Sequence, residues 1–343
     1  MRRGRWCERG PVGIVAGPRT SRAVRALRAV ERRIQPFDLE PPPPSFVAHR
    51  AALRRIRVQG HVRGVRDPVF DVNSKTDSAA WADRMGVRRP AVHARVPRAQ
   101  DLPWAELPER FVVKPVHGAA SRGVHLLERR GAALVDVRDG ASLTPDEVVE
   151  RLSRLAADGL VSAEVLVEEL VLDPLFPGAA PADWKFTTFF GDVGLIEGKV
   201  GAPGGPRWRA FDDAWRPVGP GYAFNRTWDD AIQPPVHADE LLDLARRISS
   251  AVPRPFVRVD LYDSHEGPVF GEITPEPGGP GAYRPDVDRR LGEAWEAAEG
   301  RLLARAARAG WLDTADGPLA GSAVLPDGRP EPTGGGRSSR PAD

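Results

Sequence analysis

Residues 256–262 (FVRVDLY) and 269–274 (VFGEIT) decide the fold. In each stretch, polar residues stand at every second position among apolar ones, which predicts a β-strand with one polar and one apolar face. Between them, residues 263–267 are mostly polar and end in glycine, a pattern typical of a turn. The sequence therefore predicts two paired strands joined by a short connection.

The predicted pairing concentrates charge on one face. Arg258 and Asp260 share a face of the first strand, and Glu272 and Thr274 share a face of the second. Pairing would bring Asp260 and Glu272 close together, which is costly unless a cation lies between them. Magnesium with bound phosphates suits such an all-oxygen site. The alternative is a salt bridge between Arg258 and one of the two acids.

A second candidate site begins at residues 111–115 (FVVKP), an apolar run that contains Lys114 and predicts a buried strand. The loop that follows, 117–123 (HGAASRG), consists mainly of small residues. Its backbone N–H groups can therefore approach phosphate oxygens closely, as can the lysine ammonium. No Gly-Lys-Ser/Thr sequence opens a helix here, which excludes a Walker loop. The alternative is an ordinary hairpin turn beside a surface lysine.

Residues 165–171 (VLVEELV) predict a further strand, in which Glu168 and Glu169 stand among apolar residues. Such a strand is typical of an exposed sheet edge, where charged side chains discourage pairing with another chain. Alternatively, its backbone lines a site for adenine. The sequence leaves both interpretations open.

The remaining elements predict an α+β fold. Residues 144–147 (TPDE) are typical of a helix start, with proline at the first helical position and acids in the first turn. Paired strands and interspersed helices do not show the regular βαβ alternation of a doubly wound sheet. The further strands are predicted at 124–128, 185–190 and 193–200, and the helices at 74–85, 144–157, 239–251 and 285–308.

Composition narrows the class of protein. The chain has 343 residues, of which 28% are charged and 41% hydrophobic, as in globular proteins. A formal net charge of only +2 argues against a protein that mainly binds nucleic acid. The single cysteine, Cys7, excludes an internal disulfide and a Cys-based zinc site. No apolar run approaches the roughly 20 residues of a membrane span, and none resembles the core of a signal peptide, so we expect a cytoplasmic protein.

The two ends of the chain differ from its centre. Residues 1–35 form a basic arm, which is either a solvated helix or loose tail, or an arm for anionic membranes or nucleic acid. Four prolines at 41–44 predict a stiff spacer within an N-terminal region at 36–110. Residues 313–343 are rich in Gly, Pro and Ser and predict a disordered tail.

In their order along the chain, these segments resemble the ATP-grasp superfamily, and within it the TupA-like family of teichuronopeptide biosynthesis. The resemblance spans about residues 70 to 285. One such motif alone is weak, but several in the right order are specific. The matching segments are Ser74-Lys75, Leu107-Pro108, 111–114 (FVVK), 117–120 (HGAA), 183–186 (DWKF), 256–260 (FVRVD) and 271–274 (GEIT).

The resemblance implies two α+β subdomains that clasp ATP, with magnesium as the metal ion. The small subdomain, 111–171, would carry the phosphate loop, and the large one, 172–312, the metal site. Lys114 would contact the α- and β-phosphates, Lys199 would reach the γ-phosphate, and Arg258 would stabilise the transferred phosphoryl group. The other nucleotide contacts that the resemblance implies are Lys75, His117, Gly118, Ala119, Ser121, Gly123, Glu168, Glu169, Leu170, Asp183 and Lys185.

The metal ligands that the resemblance implies are Asp260 and Glu272, with Thr274 as a third candidate. Many ATP-grasp enzymes carry asparagine at the position of Thr274, whereas the TupA-like family tends to have threonine, a weaker metal ligand. The chain also has alanines at 119 and 120 where the family prefers Ser-Gly. Alanine gives the backbone of the loop less freedom than glycine.

By the same resemblance, the expected reaction is ATP-dependent ligation of a carboxylate to an amine through an acyl-phosphate. Phosphorylation supplies the leaving group that a carboxylate lacks. Two alternatives remain open at this level: a kinase on the same fold, and a non-catalytic nucleotide-binding protein. The expected partners are ATP and small-molecule or peptide substrates, with no nucleic acid. Neither the identity of those substrates nor the oligomeric state follows from the sequence.

Overall fold

A computed structural model describes residues 42–65, 69, 75–118, 121–131, 133–278 and 282–309. The basic arm and the C-terminal tail expected from the sequence lie outside these residues. Within the described part, two antiparallel sheets are combined with helices, so the predicted α+β class is confirmed. None of the helices described is both long and apolar enough to cross a membrane.

The helices follow the predicted positions closely. Thr144 caps the helix predicted to start there: its hydroxyl accepts a hydrogen bond from the Glu147 backbone N–H, and the Glu147 side chain accepts one from the Thr144 N–H. The predicted helix at 285–308 has the bounds expected from the sequence. The α-helices of the described part are α1 (Phe46–Val62), α2 (Lys75–Arg84), α3 (Pro145–Ala157), α4 (Ala238–Ala251) and α5 (Pro285–Arg308).

The first sheet has six strands in the order β1-β6-β2-β3-β4-β5, and all of its pairs are antiparallel. Since β6 lies between β1 and β2, the interpretation of residues 165–171 as an exposed edge strand is wrong. Within the described residues the strands are β1 (Val92–Val96), β2 (Arg110–Pro115), β3 (His125–Arg130), β4 (Ala133–Asp136), β5 (Ser142–Leu143) and β6 (Val165–Glu169).

One face of the six-stranded sheet is apolar. Phe111, Val113 and Val167 on this face pack against Val148 and Leu152 of α3. Side chains alternate along a strand, so the intervening positions, including Lys114 and Glu168, belong to the opposite face. The hydrophobic pattern of β2 thus decides on which face the lysine lies.

The second sheet has five strands, again all antiparallel, in the order β11-β10-β7-β8-β9. Its apolar face, with Trp184, Phe186 and Val259, packs against Leu241 and Ile248 of α4. The opposite face carries charged residues of four strands, namely Asp183, Lys185, Glu197, Lys199, Arg258, Asp260 and Glu272. The strands are β7 (Asp183–Phe189), β8 (Asp192–Val200), β9 (Arg207–Phe211), β10 (Val257–Tyr262) and β11 (Val269–Thr274).

The paired strands predicted from residues 256–274 are confirmed as the β10–β11 hairpin, in which Asp260 lies directly opposite Glu272. The β7–β8 hairpin is likewise present around Gly191, whose φ is +100°. By contrast, β1, β4, β5 and β9 have no counterpart among the predicted strands. They are short. Strand β1 is held by β6, which is distant in sequence, and β9 pairs with the neighbouring strand β8.

Helix α1 docks on α5 through close backbone contact. Phe46 of α1 is buried among aromatic rings that include Phe189, Phe256 and Trp295. Gly292 of α5 makes this approach possible, because a Cβ atom there would lie 2.5 Å from the Ser45 backbone N. A side chain at this position must therefore push the two helices apart.

We expect Gly292→Ala to destabilise the protein by about 1–3 kcal/mol, the usual cost of overpacking a well-packed contact. The matched control is Gly300→Ala in the same helix, where no atom lies within 4 Å of the added Cβ. That change should stabilise the protein by up to about 1 kcal/mol, since alanine favours the helix. Urea denaturation of both variants measures the difference, and equal effects would contradict the close contact.

Candidate functional site

A row of charged side chains crosses the polar face of the five-stranded sheet. Glu197 of β8 lies opposite Lys185 of β7, Lys185 opposite Asp260 of β10, and Asp260 opposite Glu272 of β11. We call these four residues the charged row. Their places follow from strand register, so the pairing of the sheet fixes which charges become neighbours.

Arg258 joins the two acids at one end of this row. Its Nε and Nη2 atoms donate to the Asp260 carboxylate at 2.5 and 2.6 Å. Nη2 also donates to Glu272 Oε1 at 3.1 Å and to Thr274 Oγ1 at 3.1 Å. The salt bridge left open by the sequence is therefore present, and it involves both acids.

Asp260 is buried, with 3% of its surface exposed. Burial alone would raise the pKa of its carboxyl group, but the charges of Arg258 and Lys185 outweigh burial and lower that pKa. The Lys185 ammonium lies 2.5 Å from Asp260 Oδ2 and 2.7 Å from Asp183 Oδ2. Burial would lower the pKa of Lys185, but these two carboxylates raise it, so both partners remain charged at neutral pH.

The opposite end of the polar face holds Asp183 and Lys199, which are register partners on β7 and β8. Lys199 Nζ lies 3.9 Å from Asp183 Oδ2 and 5.8 Å from the centroid of the Trp208 ring. Asp183 Oδ1 is buried and, within the described residues, has no hydrogen-bond partner. An oxygen in this position is costly unless a donor from outside the chain reaches it.

On the six-stranded sheet, Lys114 forms an ion pair with Glu168, which lies on the adjacent strand β6. Tyr262 of β10 connects this pair electrostatically with the charged row. Burial raises the pKa of its hydroxyl group well above the ordinary value, and the charges of Asp183, Glu272, Asp260 and Glu168 raise it further. Charges from both sheets thus act on one tyrosine.

The loop after β2 is anchored at both ends. The His117 N–H donates to Ser162 Oγ at 2.9 Å, and Gly118 lies against Val161. At the other end, Gly123 has φ +68°, and a Cβ there would approach Leu152 and Pro115 to 3.0 Å. Ala119 and Ala120, which the sequence assigns to the centre of the loop, lie outside the described residues.

The end of β6 is held by Arg88. Its Nη2 donates to Glu169 Oε1 at 2.9 Å, and Glu169 Oε2 accepts from the Ala91 N–H at 3.1 Å. Arg88 also forms a salt bridge with Glu266 of the β10–β11 turn, at 3.2 Å. Since the Glu169 side chain is engaged in this way and Leu170 is buried, the segment offers a ligand mainly its backbone. The side chain of Lys75 lies outside the described residues.

The acid pair suits magnesium in donor type. Asp260 and Glu272 present carboxylate oxygens, and 47% of the Glu272 side chain is exposed. Within the described ranges no group of three or more His, Cys, Asp or Glu residues assembles. Two carboxylates completed by phosphate oxygens and water are a usual magnesium environment. Thr274 Oγ1 donates to Glu272 Oε1 at 3.0 Å, so in this structure the hydroxyl orients that acid.

Four residues at the site were not among the sequence candidates, namely Glu197, Tyr222, Arg50 and Tyr283. The buried Glu197 accepts hydrogen bonds from the Tyr222 hydroxyl at 2.7 Å and from Arg226 Nε at 3.1 Å. Glu197 stands two positions before Lys199 on β8, and this alternation would have placed both residues on the same face. Arg50 of α1 and Tyr283 come from segments far away in sequence and carry no local motif.

A family model described as TupA-like ATPgrasp matches residues 69–296. This is well over half of the chain, so the protein belongs to the TupA-like family of the ATP-grasp superfamily. The family match confirms the resemblance inferred from the order of the motifs. Among curated proteins, none matches the chain significantly.

Solved structures with a similar fold include D-alanine–D-alanine ligase from Bacillus anthracis in complex with ATP, at 16% identity and TM-score 0.42, covering 68% of each chain. The ATP-grasp ligase PsnB with a phosphomimetic precursor variant, Mg and ADP shares 15% identity at TM-score 0.41, covering 81% of this chain and 72% of PsnB. A RimK domain ATP-grasp protein from Sphaerobacter thermophilus shares 11% at TM-score 0.39, covering 67% of each chain. At these identities and TM-scores, the likenesses carry no argument about activity.

We expect Glu272→Gln to raise the thermal stability of the protein without added metal. Glu272 is only half-buried, but this partial burial and then the charge of Asp260 raise its pKa from 4.5, so the folded state disfavours its ionised form. The resulting destabilisation is absent at pH values below the unfolded pKa of about 4.5, grows as the pH rises between the unfolded and the folded pKa, and is fully present above the folded pKa. The variant should melt roughly 1–2 °C above the wild type at pH 7 and equally at pH 4. Glu293→Gln on the exposed face of α5 is the control, and a lower melting temperature for Glu272→Gln at pH 7 would contradict this electrostatic balance.

Proposed function

We propose that this protein is an ATP- and magnesium-dependent ligase that joins a carboxylate to an amine. The observation that carries the proposal is the arrangement of Arg258 with Asp260, Glu272 and Lys185 on one sheet face. A buried arrangement of this kind stabilises charge that develops during phosphoryl transfer, because its dipoles and charges are fixed beforehand. Membership of the ATP-grasp family supports the same assignment.

In this proposal the nucleotide lies between the two sheets. Lys114 would bind the α- and β-phosphates, and the anchored loop at His117, Gly118, Ser121 and Gly123 would cover them with backbone N–H groups. The Lys114–Glu168 ion pair holds the ammonium on the open face of the sheet. The backbone at the end of β6 would flank adenine. We also propose that residues 111–171 and 172–312 act as the small and large subdomains.

Asp183, Lys185 and Lys199 would contact the ribose and phosphates. The buried Asp183 Oδ1, which lacks a hydrogen-bond partner among the described residues, suits a ribose hydroxyl as donor. Lys185 is fixed by two carboxylates and so contributes a stationary positive charge. Lys199 is 32% exposed and is the lysine of this face best placed to adjust its position toward a γ-phosphate.

Asp260 and Glu272 would hold magnesium, which when bound neutralises phosphate charge. Arg258 already places a guanidinium against both acids. A guanidinium cannot lose its proton in a protein, so Arg258 can stabilise negative charge but cannot act as an acid or base. Its proposed role is therefore to bind the reacting carboxylate and the transferred phosphoryl group.

The reaction that we propose has two steps. An oxygen of the substrate carboxylate attacks the γ-phosphorus of ATP, and the bond to the β,γ-bridging oxygen breaks to release ADP. The amine nitrogen then attacks the acyl carbon of the acyl-phosphate, phosphate leaves, and the nitrogen loses a proton as the amide forms. The side chains of the site orient the groups and balance their charges.

We expect wild-type protein with ATP, magnesium and hydroxylamine to form a hydroxamate when its carboxylate substrate is present. Hydroxylamine captures an acyl-phosphate directly, so hydroxamate, ADP and free phosphate should appear in equal amounts. A panel of amino acids, peptides and uronic acids is assayed, with and without amines. Formation of ADP without any free phosphate would contradict a ligase and indicate a kinase, whereas no nucleotide binding at all would contradict both.

We expect Lys114→Met to raise the KM for ATP about 10- to 100-fold, since a charge-assisted hydrogen bond contributes about 1.5–3 kcal/mol. Arg110→Met is the matched control, because Arg110 lies at the opposite end of β2 and forms a salt bridge with Glu128 at 3.6 Å. The double variant Lys114→Met/Glu168→Gln tests whether the rise in the KM for ATP comes from a Glu168 carboxylate that has lost its ion-pair partner. An unchanged KM in Lys114→Met would remove Lys114 from the phosphate site.

A further inference from the structure

Residues 85–91 carry the chain from one sheet to the other, and we call them the crossing segment. Before it, helix α2 packs on the five-stranded sheet, where the ring centroids of Trp81 and Phe270 lie 6.2 Å apart. Val87 within the segment belongs to the same hydrophobic core as Phe270. After it, β1 pairs with β6 of the six-stranded sheet. The crossing segment is therefore in contact with both sheets of the proposed nucleotide site.

The backbone of the crossing segment is hydrogen-bonded to both sheets. The Arg88 carbonyl oxygen accepts a hydrogen bond from the Phe270 N–H of β11 at 2.8 Å. Three residues later, the Ala91 carbonyl oxygen accepts one from the Glu169 N–H at the end of β6, also at 2.8 Å. Neither bond involves a side chain, so both remain possible when the side chain of Arg88 is replaced. The role of that side chain can therefore be tested by substitution.

The Arg88 side chain adds a second link between the same two sheets. Nη2 donates to Glu169 Oε1 at 2.9 Å and lies 3.2 Å from Glu266 Oε2, while Nη1 donates to Ser264 Oγ at 3.4 Å. Ser264 is buried, and its hydroxyl donates to the Gly267 carbonyl oxygen at 2.7 Å, so the turn between β10 and β11 is itself fixed. One guanidinium thus connects the end of β6 to a fixed turn of the other sheet.

Glu169 is held through both of its carboxylate oxygens. Oε1 accepts from Arg88, and Oε2 accepts from the Ala91 N–H at 3.1 Å. A guanidinium presents several donors in one rigid plane, so Arg88 can contact Glu169 and the turn at the same time, which a lysine ammonium does less well. Glu169 is the last residue of β6 and is followed by the buried Leu170. Fixing its carboxylate therefore fixes the backbone where the chain leaves the strand.

We propose that Arg88 is a positioning residue that makes the nucleotide site selective for adenine. The inference rests on the proposed function, in which the backbone at the end of β6 flanks the base. The exocyclic group of adenine donates a hydrogen bond at the position where that of guanine accepts one. A backbone carbonyl oxygen at a fixed place therefore accepts adenine and rejects guanine, whereas a backbone that can shift adapts to either base. Arg88 holds this backbone in place through Glu169.

The test compares the non-hydrolysable imido analogues of ATP and GTP, with magnesium, by isothermal titration calorimetry, which does not depend on turnover. Wild-type protein should bind the adenine analogue about tenfold more tightly or better, because guanine leaves a polar group of the site unpaired. In Arg88→Met, this preference should fall about fivefold through weaker binding of the adenine analogue. The guanine analogue should bind about as in the wild type, since the phosphate contacts are unchanged. Arg88→Lys should restore part of the preference.

Arg89→Met is the matched control. Arg89 is the next residue of the crossing segment, but its guanidinium donates to the Asp83 carboxylate, at 2.7 and 2.9 Å. This variant should bind both analogues as the wild type does. The double variant Arg88→Met/Glu169→Gln tests the route: if Arg88 acts through Glu169, the double variant should lose no more preference than Arg88→Met alone. It also removes both charges of the ion pair, so it replaces Arg88→Met if the single variant does not fold.

The outcomes separate this inference from the proposed function. A merely structural role of Arg88 would weaken binding of both analogues equally or lower only the melting temperature, and either result would overturn the inference. An unchanged preference in Arg88→Met would do the same. If wild-type protein binds both analogues equally tightly, the selectivity for adenine is disproved while the nucleotide site stands. If neither analogue binds to wild-type protein, the proposed function fails and the role of Arg88 fails with it.

Discussion

The polar face of the five-stranded sheet depends on one interaction, the Asp260 carboxylate held between Arg258 and Lys185. A buried carboxylate is costly without partners, and here each oxygen has a cationic one. Arg258 lies on the same strand and Lys185 on the next, so strand register alone brings the three together. Removing either cation would leave the buried Asp260 carboxylate with too few partners. The other polar residues of the face are therefore arranged around Asp260.

Charge balance along the face explains how such a site exists in a stable protein. Lys185 and Arg258 offset Asp260 and Glu272, while Glu197 is offset by Arg226. A divalent cation alone would add positive charge to this balance, and phosphate groups alone would add negative charge. Together they compensate each other. If the protein has the function that we propose, this balance of charge favours joint binding of the metal ion and the nucleotide over binding of either one alone.

The sequence predicted what depends on local pattern. Alternation at 256–274 placed Arg258, Asp260 and Glu272 on one face, and the apolar run before Lys114 placed the lysine opposite the core. What it could not predict depends on contacts between distant segments. Strand β1 (Val92–Val96) pairs with β6, and β2 to β5 lie between these two strands in the chain. Arg50 meets Pro277 across 227 positions of sequence, a contact that no local motif encodes.

The same contrast separates the two kinds of residue at the site. The groups assigned to phosphoryl transfer stand on strands, where a shift of one position would turn every side chain to the other face. Their geometry is thus tied to the fold. Arg50 and Arg226, by contrast, stand on a helix and in a loop, which can change without breaking a sheet. Helix α1 is moreover fixed by the packing of Phe46 and Gly292, so it presents Arg50 on a rigid support.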